Sequence, residues 1–357
     1  MIFIAWYLLP FLIEVTNSQI ESFRPKERIY HTSTFINNKL YILGGNSIST
    51  NATINEIVGK EFFYLEFSKT FNTIIINSLW QDLTKINTVP SHWAAASAKG
   101  GINNDTLFLY GGFSNETSLI HTYDSQNDLW SIPNVKGDYV IKKRSLTGII
   151  DYNGNMYLFG GASSEFGILN DMIILDTINL IWKSGSLINA PTPRFYYGAN
   201  LLPNQNIIYF GGHNGKEIIE LNEIHLYDIV NNDWNIKKTS GSSPSKRYLF
   251  STVLDTINFE WYIPNVSGDI PANRYDHKSN VIGNFMVISF GFGYEQGKES
   301  DLLLLDISNN EEYKWSIIFE PSPSIVTPTS SLPTSTQSND FSSTNHNSRI
   351  VLLVAIL

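Results

Sequence analysis

A glycine pair that closes an apolar segment recurs along this chain and limits the possible folds more than any other feature. Successive pairs from Gly111 onward lie about 50 residues apart, and the first interval is longer. Adjacent glycines let the backbone turn with positive φ and approach a neighbouring segment closely. Short apolar strands with such turns at a period near 50 residues predict a ring of repeated small β-sheets. The four segments are Leu40–Gly45, Leu107–Gly112, Met156–Gly161 and Ile207–Gly212.

Two further marks repeat in register with the glycine pairs. An aspartate lies six residues before a tryptophan, whose ring suits packing between adjacent sheets. A proline followed three residues later by arginine begins most repeats, although Arg144 lacks its proline and Trp93 follows Pro90 instead of arginine. Counting these leading segments gives six repeats. The Asp–Trp pairs are Asp124 and Trp130, Asp176 and Trp182, Asp228 and Trp234, and Asp255 and Trp261; the Pro–Arg pairs are Pro25 and Arg28, Pro191 and Arg194, Pro244 and Arg247, and Pro271 and Arg274.

Together these marks resemble the kelch-repeat family, and the resemblance covers residues 23–319, most of the chain. WD40 repeats are the near alternative, but their Trp-Asp ending is missing, because the order here is Asp233-Trp234. The resemblance implies an all-β kelch β-propeller of six repeats, the fifth incomplete, followed by a disordered stalk. The exported, stalked layout described below is similar to that of the kelch families of filamentous fungi.

The resemblance also implies a candidate binding site. Similar kelch domains use arginines at the leading position, near the mouth of the central channel, to bind acidic peptide side chains. The planar guanidinium suits bidentate binding of carboxylates. The alternative is that each arginine caps strand-end carbonyls within its own blade. The corresponding residues are Arg28, Arg144, Arg194, Arg247 and Arg274.

The first and sixth repeats depart from the regular pattern. The first is lengthened between its glycine pair and Trp80, and we expect residues 46–60 to form a long loop. The sixth has Gly291-Phe292-Gly293 where the other repeats have a glycine pair, which predicts a β-bulge.

The fifth repeat is much shorter than its neighbour. Only 14 residues separate Arg247 from Trp261, whereas 40 separate Arg194 from Trp234. We expect it to keep the outer half of a blade and to lack the inner strand and the glycine pair. The ring then either closes as five blades or keeps a circle of six places with a gap.

The composition excludes several kinds of chemistry. The chain has no cysteine, which rules out thiol nucleophiles, disulfides and thiolate metal sites. Galactose oxidase shares this blade type, but its copper-radical site needs a tyrosine crosslinked to cysteine. The seven histidines have no metal-ligand spacing, and no phosphate loop or nucleophile elbow occurs, so we expect no catalytic residue, metal or cofactor. A net charge of −9 with scattered basic residues argues against nucleic acid as a partner.

The N-terminal residues predict export. An apolar run without charge extends from Met1 to Ile13 and is typical of a signal-peptide core, although no basic residue precedes it. The alternative is a buried first strand. We expect a signal peptide at residues 1–18 and a secreted or cell-surface protein. Four Asn-x-Ser/Thr triplets agree with export, since such sites accept glycans on surface loops. They are Asn51, Asn104, Asn115 and Asn265.

The chain changes character after the predicted propeller, residues 19–320. Residues 321–348 are mainly Ser, Thr, Pro and Asn, which bury too little apolar surface to become ordered and predict a disordered stalk. Residues 349–357 are an arginine and eight apolar residues, whereas crossing a bilayer takes about 20. This tail is the start of a transmembrane helix, an atypical lipid-anchor signal, or an apolar tail without a membrane role. The stalk favours the first interpretation.

These expectations favour a non-catalytic platform that binds a protein or a glycan through the propeller loops and the channel mouth. An enzyme with a divergent, unrecognised site is the alternative, and a metal bound to the purified protein would favour it. Because a fold does not imply a function, the identity of the ligand stays open.

Overall fold

The structure is a computed structural model. The structure describes residues 23–321 with the exception of residues 50, 116, 251, 254–258, 262–263 and 297. At residues 252–253 and 353–354 it describes the backbone alone. The predicted signal peptide, the stalk apart from residue 321, and the rest of the apolar tail lie outside the described residues. Within them, nearly all regular structure is β-strand, which confirms the predicted fold class.

Repeats 1, 2, 3, 4 and 6 each form a complete blade of four antiparallel strands. Repeat 1 comprises β1 (Thr32–Ile36), β2 (Lys39–Leu43), β3 (Phe62–Glu66) and β5 (Gln81–Asp82), with β4 (Phe71–Asn72) outside the blade. Repeat 2 comprises β6 (Ala96–Gly100), β7 (Thr106–Tyr110), β8 (Ile120–Asp124) and β9 (Leu129–Ser131). Repeat 3 comprises β11 (Gly148–Ile150), β12 (Asn155–Phe159), β15 (Met172–Asp176) and β16 (Ile181–Ser184), with β10 (Lys136–Gly137) at its outer edge and a hairpin of β13 (Ala162–Ser163) and β14 (Gly167–Ile168). Repeat 4 comprises β17 (Gly198–Leu201), β18 (Asn206–Phe210), β19 (Glu223–Asp228) and β20 (Asp233–Lys238). Repeat 5 contains only β21 (Ser240–Gly241), β22 (Thr252–Val253) and β23 (Glu260–Trp261) among the described residues. Repeat 6 comprises β25 (Lys278–Ile282), β26 (Phe285–Ser289), β27 (Leu302–Asp306) and β28 (Glu312–Ser316), with β24 (Asn265–Ser267) at its outer edge; β29 (Ile318–Phe319) and β30 (Leu353–Val354) follow.

The apolar segments before the glycine pairs are the second strands of their blades, and they form the centre of the core. In β18, Ile207 and Tyr209 pack with repeat 3, while Ile208 and Phe210 join a separate apolar cluster on the other face. The division follows from the alternation of side chains along a strand. The repeated tryptophans pack between blades as predicted, for example with 4.8 Å between the ring centroids of Trp234 and Phe159.

Repeat 5 is reduced, as expected, but it keeps different pieces from those expected. β22 lies beside β17, the innermost strand of repeat 4. β23 pairs in parallel with β21. In repeats 3 and 6 the outermost strands, β16 and β28, pair in parallel with β10 and β24 in the same way, so β23 corresponds to an outermost strand. Short pieces of both the inner and the outer strand therefore remain, and the expected loss of the inner strand is wrong. The propeller thus has five complete blades, and the fifth repeat is incomplete as expected.

Residues 46–60 are not simply the expected loop, because they contain the helix α1 (Ala52–Lys60). Asn51 caps the helix by accepting hydrogen bonds from the N–H groups of Thr53 and Ile54 at 2.9 and 3.3 Å. Val58 is completely buried, so the helix packs against the propeller. Two 3-10 helices, Thr73–Ser78 and Thr84–Ile86, complete the long connection of repeat 1.

The end of repeat 6 is fastened to repeat 1. β29 pairs antiparallel with β4, and the ring of Phe319 lies 4.8 Å from that of Phe67. Burial of these aromatic rings closes the circle where the two ends of the repeat array meet.

Candidate interaction site at the channel mouth

Six backbone positions, one from each repeat, form a closed ring of hydrogen bonds around one end of the channel. Each residue has a positive φ of 55–63° and donates its N–H to the carbonyl of the residue before it in the ring, at 2.8–3.2 Å. The last link differs, because the N–H of Tyr30 donates to Oδ2 of Asp276 at 3.1 Å. The ring residues are Tyr30, Ala94, Ser145, Tyr196, Leu249 and Asp276. Since Leu249 holds the fifth place, the circle keeps six places although one blade is incomplete.

The glycine turns identify the true leading residues. In each complete blade, the second residue of the turn donates its N–H to the carbonyl of the next repeat's leading residue, at 2.9–3.1 Å. These bonds place His92 and Lys143 in the positions equivalent to Arg28, so Trp93 and Arg144 lie one residue further on. In repeat 6, Phe290 and Gly291 occupy the two turn positions and β26 pairs regularly, so the expected β-bulge is not found there. The same bonds make Arg194 and Arg247 leading residues. Arg274 is the sixth, because it lies two residues before the ring residue Asp276, as Arg28 lies two residues before Tyr30.

Three of the five candidate arginines are buried and hydrogen-bonded within the protein. Nη1 of Arg28 donates to the carbonyl of Gly44 at 3.0 Å, and Nη2 pairs with the buried carboxylate of Glu61. Arg194 donates to the carbonyls of Thr192 and Gly211, and Arg274 donates to that of Ser300 at 2.8 Å. Burial lowers the pKa of each guanidinium. Their surroundings favour the capping alternative over direct contact with a ligand.

The other two candidates are only half-buried. Arg247 donates to the carbonyl of Ser245 beside the reduced repeat. Arg144 donates to Oγ of Ser164, and its guanidinium carbon lies 5.8 Å from the centre of the Phe113 ring. The guanidinium of Arg144 therefore borders one of the exposed rings described next.

The rim of the channel carries a cluster of aromatic side chains that the sequence interpretation overlooked. In each complete blade, the residue after the leading position forms an isolated bridge with the residue after the glycine turn. Both positions are aromatic in repeats 2, 4 and 6. The sequence shows these positions, because an aromatic residue follows both the leading residue and the glycine turn in these repeats. We call this surface the aromatic mouth; it consists of Tyr30, Trp93, Phe113, Phe195, Tyr196, His213, Tyr248, Tyr275 and Phe292.

The rings of the aromatic mouth form a nearly continuous path across the channel. Tyr30 and Tyr196 occupy opposite places in the six-place ring, and their side chains stack with centroids 5.7 Å apart. The path continues from Tyr30 through Trp93 to Phe113, with centroid separations of 5.4 and 4.9 Å. Burial raises the pKa of the Tyr30 and Tyr196 phenols above their ordinary value, so both are neutral at physiological pH. The centre of the mouth is therefore aromatic and uncharged.

Asp276 gives the ring a pH dependence. Burial raises the pKa of its carboxyl to about 8, although Lys278 and the N–H of Tyr30 oppose the shift. The ordinary pKa is 3.8, so the unfolded chain is ionised over a range in which the folded protein holds a proton. The contribution to stability is complete below pH 4 and is lost as the pH rises towards 8.

The variant Asp276→Asn should keep the hydrogen bond from Tyr30 and remove this titration. We expect the stability of the wild type, relative to that of the variant, to fall by up to about 1.4 kcal/mol per pH unit between pH 5 and 7. Urea unfolding of both proteins at several pH values measures the difference. A difference that does not change with pH would mean that Asp276 is ionised in the folded state.

The candidate glycosylation sites all lie on the surface. Asn51, Asn104 and Asn115 are exposed in loops or at the helix cap. Asn265 is exposed in an edge strand, and its Nδ2 donates to the carbonyl of Glu311 at 3.3 Å. Among the described residues, no helix has the length and apolar character needed to cross a membrane. In the same part of the chain, no group of three His, Asp or Glu side chains is arranged to hold a metal ion.

The closed ring, the glycine turns and the tryptophans packed between blades define a β-propeller of glycine-pair repeats. Residues 63–255 match the family described as the KLHDC2/KLHL20/DRC7 Kelch-repeats domain. The match covers more than half of the chain, which therefore belongs to the kelch-repeat family.

Parts of the chain are similar to proteins with several different names. The Rho GTPase-activating protein gacHH of Dictyostelium discoideum is 30% identical over 41% of this chain and 10% of its own length. Acyl-CoA-binding domain-containing protein 4 of Arabidopsis thaliana is 23% identical over 65% of this chain and 34% of its length. The human Rab9 effector protein with kelch motifs is 24% identical over 42% of this chain and 41% of its length. The aligned part of the chain thus spans less than half of each of these three relatives.

Proposed function

We propose that the protein is a non-catalytic interaction module that binds a segment of another protein at its aromatic mouth. The observation that carries the proposal is the exposure of large rings at one end of the channel: Phe113 is 49% exposed and Tyr275 is 50% exposed. Exposed apolar surface around a concave opening marks a site of interaction. Aromatic residues are enriched in protein interfaces and contribute much of their binding energy.

The surroundings of the mouth suggest the chemistry of the ligand. Its centre is uncharged, because the phenols of Tyr30 and Tyr196 stay protonated. A cation, the half-buried guanidinium of Arg144, lies beside Phe113. This arrangement suits a peptide with an apolar or aromatic side chain next to a carboxylate. A relative named an effector agrees with a role in protein binding.

A peptide-display experiment tests this proposal. The purified protein is panned against a library of random 12-residue peptides, and the affinities of the enriched peptides are measured. We expect Phe113→Ala and Tyr275→Ala each to weaken binding at least about tenfold, because truncated aromatic anchors commonly cost more than 1.4 kcal/mol. Tyr152→Ala is the matched control. Tyr152 is 75% exposed, but it lies in the turn before β12, at the end of that strand opposite to the glycine turn and the aromatic mouth.

Two results would contradict the proposal. One is enrichment of peptides whose binding all three variants leave intact. The other is a lack of peptide enrichment combined with binding to a glycan array that Phe113→Ala abolishes, because flat exposed rings also stack on sugars. The second result would make a glycan the ligand of the same surface.

We also propose that the chain enters the secretory pathway. The uncharged apolar start of the sequence and the exposed asparagines at its four glycosylation triplets support this. Protein from the native host should begin near Gln19 and carry glycans. Cytosolic protein with an intact Met1 and unmodified Asn104 would be inconsistent with export.

A further inference from the structure

The central channel beneath the aromatic mouth contains a cavity of about 460 Å³. Cavities of about 300–1,000 Å³ are the size that proteins use to bind small molecules. Its walls are the innermost strands, which begin at the closed ring of backbone hydrogen bonds and run to the opposite end of the channel. The stacked rings of Tyr30 and Tyr196 bridge the channel at the mouth. Lys99 and Val281 are exposed at the other end, so a small molecule would enter there.

A lysine side chain lies inside this cavity. Lys278 is the second residue after Asp276 of the ring, and it lines the channel wall. Burial, Arg28 and Lys278 together lower the pKa of the His31 imidazole, which places the ammonium group near repeat 1. The corresponding residues of repeats 1–4 are short, so they leave room for the lysine and for a ligand. These short residues are Thr32, Ala96, Thr147 and Gly198.

The ammonium group of Lys278 has neither a hydrogen bond nor an ion pair in the described part of the chain. Burial lowers the pKa of this group, as expected for a cation that lacks a counter-ion. Asp276 is the one acidic residue among those that line the cavity, and its carboxyl stays protonated up to about pH 8. A cation removed from bulk water without a partner is unfavourable, so an anion is the ligand that this cavity lacks.

The other polar side chains of the wall are already paired with one another. Oγ of Ser33 donates to Oδ1 of Asn280 at 2.6 Å, and the hydroxyl oxygens of Thr34 and Ser97 lie 2.7 Å apart. These bonds join repeats 6, 1 and 2 and hold the wall beside Lys278 in place. The wall towards the accessible end is mainly apolar and contains Phe35, Ile150, Leu201 and Val281.

We propose that the channel binds a small carboxylate with an apolar chain, which pairs with Lys278 and lies along the apolar wall. A hydrogen bond between an ammonium group and a carboxylate is stronger than one between neutral groups. Lys278 and Val281 are three residues apart on β25, roughly 10 Å along the strand. An extended hexanoate molecule is shorter than this distance and is a suitable probe. The site is separate from the aromatic mouth, because the stacked tyrosines lie between them.

Titration calorimetry of the full chain with hexanoate tests the proposal. We expect hexanoate to bind at least about tenfold more tightly than hexan-1-ol, which has the same chain and no charge. Lys278→Met keeps an unbranched side chain and removes the charge, and it should weaken hexanoate binding at least about tenfold. Lys237→Met is the matched control, since Lys237 is exposed on β20 at the outer edge of repeat 4, and it should bind hexanoate like the wild type.

A second variant keeps the charge and fills the cavity instead. Thr147 lies on the wall opposite Lys278, because their two repeats occupy opposite places in the ring. Thr147→Phe should therefore also weaken hexanoate binding at least about tenfold, even if Lys278→Met does not fold. Thermal unfolding of each variant shows whether it is folded.

Four results would overturn the proposal. Equal affinity for hexanoate and hexan-1-ol would show that the cation has no role in binding, and so would wild-type affinity in folded Lys278→Met. Hexanoate binding that Phe113→Ala abolishes would place the ligand at the aromatic mouth. The absence of saturable hexanoate binding would mean that the cavity holds water only.

Discussion

Replacing Gly111 with alanine is expected to lower the free energy of unfolding by about 2–5 kcal/mol. Gly111 is the first glycine of the turn in repeat 2 and has φ +68°, where an L-residue costs about 1–2 kcal/mol. A Cβ added here would also overlap the carbonyl oxygen of Lys143 in the next repeat. The same carbonyl accepts a hydrogen bond from the N–H of Gly112. Moving it away from the added Cβ would therefore disturb this hydrogen bond between the two repeats. Forced overpacking typically adds about 1–3 kcal/mol.

Gly167→Ala is the matched control for this prediction. Gly167 also has a left-handed backbone, with φ +73°, but an added Cβ would meet no atom within 4 Å. It should cost only the conformational term of about 1–2 kcal/mol. Urea denaturation of both variants separates the contact between blades from backbone strain. Equal losses in the two proteins would show that the close approach of the blades contributes little.

Removing the side chain of Arg28 is expected to destabilise the protein by a similar amount, about 3–5 kcal/mol, because a buried carboxylate would lose its cation. Arg28 and Glu61 are both buried, and the guanidinium carbon also lies 4.6 Å from the centre of the Phe63 ring. Glu61 ends the helix α1, so the pair joins that helix to the leading segment of repeat 1. The measurement is chemical unfolding of Arg28→Ala beside the wild type.

Two further variants give this experiment its controls. Arg28→Ala combined with Glu61→Gln should recover part of the loss, since no unpaired charge stays buried. Arg144→Ala should cost less than about 1 kcal/mol, because this half-buried arginine makes no ion pair among the described residues. If Arg28→Ala were as stable as the wild type and failed to bind a ligand that Arg144→Ala still binds, the ligand-facing hypothesis would be correct for Arg28.

The sequence was sufficient to predict the repeats, the fold class and the family. Glycine pairs, apolar strands and tryptophans at a constant phase are local patterns, and each blade folds largely from neighbouring residues. The shortening of repeat 5 was also visible as a change in spacing. The loop expected at residues 46–60 was wrong, because the cap at Asn51 and burial of Val58 stabilise a helix there.

The candidate site depended on contacts between repeats. A spacing rule placed Arg144 in the ring, but the carbonyl that accepts the N–H of Gly112 belongs to Lys143. Arg28, Arg194 and Arg274 resemble ligand-binding residues in sequence, yet neighbouring strands and turns cover them. The aromatic mouth joins pairs such as Trp93 and Phe113, 20 residues apart in the chain and 4.9 Å apart as rings.

The sequence by itself determined how many repeats the chain has and what each repeat can form, because strand periodicity and turn chemistry act over a few residues. Only the tertiary structure decided that Leu249 holds the fifth place of the ring and that the exposed rings meet at one end of the channel. Closing the circle fixes which backbone groups face each other across blade boundaries. Burial and exposure at those boundaries result from the closure and not from any local pattern.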